Sequence, residues 1–126
     1  MQKNEDVRPI SPHLSIHKRL QTAILSILHR ITGFGLSIGI ILVVIWIAFI
    51  AMGEKYYNIL YLMIDNVFVK TIYFVWAFSL FFHLVNGIRY LIWSAGFGID
   101  IKDVNRSGYL VIVFSLFLTI LVWTII

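Results

Sequence analysis

The chain has 126 residues, 60% hydrophobic and 16% aromatic, with mean hydropathy +0.93 and only 13% charged residues, where a soluble domain carries about 25%. These proportions point to a membrane protein of one compact unit and leave no room for a separate catalytic domain. The absence of cysteine excludes disulfides, a thiolate nucleophile and an iron–sulfur cluster held by this chain's own sulfur, and the net charge of +4 lies beside apolar spans, which fits membrane orientation better than nucleic-acid binding.

Residues 1–21 are polar, with Lys3, Glu5, Asp6, Arg8, Lys18 and Arg19 and no early apolar run. They are expected to be neither a secretory signal nor a transit peptide. The stretch "RPISPHLSIHKRLQT" is expected to lie along the membrane surface or against a soluble partner.

Three uncharged apolar runs follow, Ile31–Gly53, Thr71–Ile88 and Ser107–Ile126, each near the ~20 residues a helix needs to cross the hydrocarbon. Extending the first two to their natural ends predicts transmembrane helices at about 22–53, 67–94 and 107–126. Helix is required because no run alternates with period two and a lone strand would leave its backbone unsatisfied in lipid. The acids Glu54, Asp65, Asp100 and Asp103 fall in connections. Eight basic residues (Lys3, Arg8, Lys18, Arg19, Arg30, Arg89, Lys102, Arg106) flank one side and two, Lys55 and Lys70, the other. The positive-inside rule therefore puts the N-terminus in the cytoplasm, or in the matrix of a mitochondrion.

Polar residues inside the spans carry the functional signal. His83 either hydrogen-bonds a neighbouring helix or ligates haem iron through a neutral imidazole nitrogen. Ser79, Asn86, Gly87 and Tyr90 share its face by helical spacing. Arg89, about 120° around the helix from His83, either reaches the headgroups or pairs sideways with a propionate. In "ILSILHRITG", Ser26, Arg30, Gly33 and Ser37 recur on one helix face. A serine hydroxyl and an always-charged guanidinium near the interface suit an apolar ligand with carbonyl oxygens, such as a quinone. No phosphate loop, HExxH motif, intramembrane carboxylate pair or Ser–His–acid set is present. A reading from another class is a small oligomeric membrane transport or assembly protein without cofactor, associating through Gly35 and Gly39.

"RPISPHL" (8–14), "SILHRITG" (26–33) and "HLVNGIRYLIW" (83–93) together resemble the cytochrome b membrane-anchor subunits of succinate dehydrogenase, respiratory complex II. The resemblance implies a single all-α membrane-anchor domain over 1–126, with three transmembrane helices in a bundle completed by a second, partner anchor subunit. It implies that His83 is an axial ligand of haem b, the other axial histidine coming from the partner anchor. It further implies that Ser26 and Arg30 line the ubiquinone site and that His29, with Arg30, lies near the haem propionates. A flavoprotein subunit and an iron–sulfur subunit would pass electrons from succinate to quinone, this chain being a non-catalytic subunit in a bacterial inner membrane or a mitochondrial one. Tyr90 and Ser94 stand where the family often has histidine and aspartate, and His17 where it often has tyrosine.

Overall fold

The computed structural model describes residues 20–125. The motif at 8–14 and most of the 1–21 segment lie outside them. The described chain is all-helical: α1 (Gln21–Ala51), α2 (Glu54–Ile64), α3 (Val67–Ser94) and α4 (Ile101–Ile125). Three of these, α1, α3 and α4, are long and apolar enough to cross a membrane.

Two boundaries differ from the sequence expectation. The connection expected between the first two spans contains α2, an amphipathic helix of 11 residues, and α1 accordingly stops at Ala51 rather than near 53. Gly53, at φ 102°, turns the chain between α1 and α2 in a conformation costly to a side chain bearing Cβ. Second, α4 begins at Ile101 rather than 107. Lys102, Asp103 and Arg106 mark where lipid ends, and the helix continues through them.

The ends of α3 are built by local hydrogen bonds. Asn66 caps its start, Oδ1 accepting from the Phe68 amide at 2.9 Å, which satisfies one of the orphan donors of a first turn. From the first turn of α3, Lys70 donates to Asp65 just outside it at 2.6 Å. Hydrogen bonding and charge from Lys70 hold the exposed Asp65 carboxyl below its ordinary value. At the other end, the Gly96 amide donates to Trp93 O (2.9 Å) and the Phe97 amide to Ile92 O (3.2 Å), the paired bonds of a Schellman stop with Gly96 at φ 87°.

The three long helices meet along a narrow seam. Leu25 of α1, Phe82 of α3 and Val111 of α4 form the buried cluster, with Phe78 and Val85 packed against it. Most other large apolar side chains, including Ile31, Phe34, Ile41, Leu84 and Leu110, face outward, as lipid-facing residues must. Since lipid removes the hydrophobic drive between helices, close approach through small residues has to supply the packing. Gly39 of α1 takes the indole of Trp76 directly against its backbone, and Gly108 of α4 takes Gln21 and Leu25. Further along α4, Ser115 and Thr119 are fully buried, their hydroxyls donating to Val111 O (2.6 Å) and Ser115 O (2.7 Å) within the helix.

Candidate functional site

His29 of α1 and His83 of α3 stack face to face, ring centroids 3.8 Å apart and planes within 6°. Gly33, one turn beyond His29, makes this approach possible: a Cβ there would stand 2.8 Å from His83 Cε1. Gly87, one turn beyond His83, lies beside the His29 ring, where a Cβ would make ordinary contact at 3.7 Å. Tyr90 closes the group edge-on to His29 at 5.3 Å. The two motifs, more than fifty residues apart in sequence, therefore form one cluster.

Proton bookkeeping fixes the His83 tautomer. Nδ1 lies 3.0 Å from the backbone oxygen of His29 and 3.2 Å from Thr32 Oγ1. A carbonyl only accepts, so Nδ1 donates and, in the neutral ring, Nε2 carries the lone pair. Among the described residues no hydrogen bond occupies Nε2. This is the arrangement a metal-ligating imidazole needs: one nitrogen tied to a carbonyl, the other available. No three His, Asp or Glu side chains converge to hold a metal ion among the described residues. A porphyrin, which brings four ligands of its own, asks less, and the donor set fits one axial position on it.

Ser26 and Arg30 sit on α1 in the same two turns, Ser26 part-buried and Arg30 exposed. Among the described residues Arg30 has no hydrogen-bonding or ion-pairing partner. Ser37, the outer member of the expected polar stripe, donates back to Gly33 O at 3.0 Å and belongs to the helix rather than to a site. A groove of about 480 Å³ between the start of α1 and α4, lined by Leu20, Thr22, Val104, Asn105 and Tyr109 among others, includes neither Ser26 nor Arg30.

Arg89 takes neither course expected from the sequence. It is 4% exposed and points at α4. Nε donates to Ser107 Oγ (2.9 Å), Nη1 to Asn86 Oδ1 (3.2 Å) and Nη2 to Val104 O (2.8 Å). Its guanidinium carbon lies 4.0 Å from the Trp93 ring centroid. The face assigned to His83 thus divides: Gly87 and Tyr90 turn to α1, while Asn86 turns to Arg89 and α4. Ser79 donates to its own helix at Val75 O (2.8 Å). Thr32, whose Oγ1 lies 3.2 Å from His83 Nδ1, is not marked by the polar spacing; its place between His29 and Gly33 in "HRITG" is the signal the sequence carries.

The family described as succinate dehydrogenase/fumarate reductase transmembrane subunit matches residues 4–122. The succinate dehydrogenase cytochrome b556 subunit of Rickettsia felis is 39% identical over 116 residues, covering 92% of this chain and 90% of the relative. The cytochrome b560 subunit of Reclinomonas americana is 36% identical, over 94% of this chain and 85% of its own length. The cytochrome b556 subunit of Paracoccus denitrificans is 32% identical over 94% and 91%. Three apolar helices joined through a histidine pair, and a match running nearly end to end, lead to one assignment: the chain belongs to the succinate dehydrogenase/fumarate reductase transmembrane-subunit family, as a cytochrome b membrane-anchor subunit of complex II.

Proposed function

We propose that this anchor holds one axial position of a haem b through His83 Nε2 and supplies Ser26 and Arg30 to a ubiquinone-reduction site. The observation that carries the haem assignment is the His83 Nδ1 bond to His29 O, which leaves Nε2 as the lone-pair nitrogen. The relatives named cytochrome b556 and b560 support it. Bound haem supplies a one-electron store beside the quinone site. The partner anchor subunit would supply the second histidine that holds the haem, and His29 and Arg30 would meet its propionates.

Within this chain Arg30 presents parallel N–H donors to a quinone oxygen as negative charge builds there, and Ser26 hydrogen-bonds a quinone oxygen. Arg30 is exposed on the three-helix unit and Ser26 is part-buried, and partner subunits supply the remaining walls of the quinone site. The two electrons come from succinate through the flavoprotein and iron–sulfur subunits; this subunit itself does not oxidise succinate. Its setting is a bacterial inner membrane with a cytoplasmic N-terminus, or by the same charge pattern a mitochondrial inner membrane.

A dithionite-reduced minus oxidised spectrum of the purified complex tests the haem assignment. His83→Ala is expected to abolish the b-type bands, and bands of unchanged intensity would refute it. Arg30→Ala is expected to slow quinone reduction while dye-linked succinate oxidation persists; equal loss of both would count against a quinone role.

A further inference from the structure

The hydroxyl of Thr32 lies where it does more than satisfy itself. Threonine in a helix commonly turns its Oγ1 back onto the preceding turn, and Thr32 Oγ1 is 2.9 Å from Leu28 O and 3.0 Å from His29 O. A residue with that role alone would have no need to face another helix. Thr32 Oγ1 also stands 3.2 Å from His83 Nδ1 across the α1–α3 contact. The protons settle the direction. Nδ1 holds one proton, which the His29 carbonyl and the Thr32 oxygen share as a three-centre bond. The hydroxyl proton goes to Leu28 O or His29 O, leaving an oxygen lone pair facing Nδ1–H.

We propose that Thr32 is a positioning residue for His83: its oxygen, held by the backbone of α1, fixes the imidazole's rotation and strengthens Nε2 as an electron donor. The inference rests on the haem-ligand reading of His83 and adds to it a residue acting through that ligand. An acceptor at the distal nitrogen of a ligating imidazole pushes electron density toward the metal side. That favours the oxidised iron, and so lowers the midpoint potential of the haem. The Gly33 backbone against the same ring limits how far the imidazole can turn when one of its two acceptors is removed.

The test is a spectroelectrochemical titration of the haem in the purified complex, with the rate of haem transfer to a soluble apoprotein scavenger as a second readout. Thr32→Val removes the oxygen and keeps the branched shape. It is expected to retain haem, raise the midpoint potential and release haem about 10-fold faster, at the low end of what loss of an outer-shell partner costs in metal affinity. Thr32→Ser restores the oxygen and is expected to restore both values. An unshifted potential in Thr32→Val overturns the inference, as does a Thr32→Ser variant shifted as far as valine, which would show that the oxygen alone does not set the potential. Should the valine variant fail to assemble, Thr32→Ala is read the same way, and a wild-type potential in it overturns the inference. His83→Ala separates the two layers: retained bands there remove the haem-ligand reading, whereas lost bands with an unshifted Thr32→Val remove only the role of Thr32.

Discussion

Replacing Arg89 tests what holds α3 to α4. The side chain is buried with no carboxylate beside it among the described residues, and its charge is met by Ser107 Oγ, Asn86 Oδ1 and Val104 O and by the face of Trp93. Hydrogen bonds between membrane helices average ~0.6 kcal/mol each, so the two that cross to α4, at Ser107 and Val104, come to about 1, and the cation–π contact within α3 adds roughly 0.5–2. Against this stands the cost of keeping a cation out of water, which an apolar replacement recovers. Arg89→Met is therefore expected to destabilise by about 1–2 kcal/mol. Arg89→Lys keeps the buried charge but gives up the planar fork, and is expected to be at least as harmful as methionine. The assay is unfolding of the purified complex along an SDS titration, followed by helical circular dichroism. A lysine variant of wild-type stability would show that charge rather than the fork holds the seam. A methionine variant within ~0.5 kcal/mol of wild type would show that the bonds give no net stabilisation.

Gly33→Ala places a Cβ 2.8 Å from His83 Cε1, against a ring already held by its Nδ1 bond and the His29 stack. It is expected to cost about 1–3 kcal/mol of complex stability and to lower haem content, measured by pyridine haemochrome per flavin. Gly39→Ala drives a methyl into the Trp76 indole; a cost of similar size is expected, largely relieved in Gly39→Ala/Trp76→Phe, so a double-mutant cycle should report a coupling of roughly 1 kcal/mol or more. The Asp65 carboxyl is held below its ordinary 3.8 by Lys70: its contact is present above that value and is lost as pH falls through the lowered one. Carbon-13 NMR of labelled aspartate is expected to show this titration return toward 3.8 in Lys70→Met, and, the pair being exposed, Asp65→Asn is expected to leave the unfolding midpoint unchanged.

The long spans were legible because an uninterrupted apolar run of helical length has few alternatives in lipid. The short α2 was not, since its Glu54, Lys55 and Asn58 read as an ordinary connection. The spacing of Tyr56, Leu60 and Ile64, all part-buried, is the helical signal it carried. The start of α4 differs from the expected one for a related reason: Lys102 and Arg106 report the edge of the hydrocarbon, which is not the edge of a helix. At the site, a histidine inside an apolar run marked His83, spacing marked Ser26 and Arg30, and the family resemblance added His29, but none of these said which helix each would face. The pairing of His29 with His83, and of Arg89 with Ser107 and Val104, depends on how α1, α3 and α4 are rotated against one another. That rotation is set by Gly33, Gly39 and Gly108, whose meaning appears only once the neighbouring side chain is known.

The acceptor that orients His83 belongs to residue 29, 54 positions earlier in the chain. An α3 leaving the insertion machinery by itself has no such carbonyl to offer, and its imidazole turns freely about χ1 and χ2. Only when the first-made helix has docked does the ring acquire a fixed direction. On the haem-ligand reading proposed for His83, ligand geometry is therefore a late product of biogenesis, and a nascent anchor with its helices wrongly paired presents no oriented nitrogen to capture the prosthetic group.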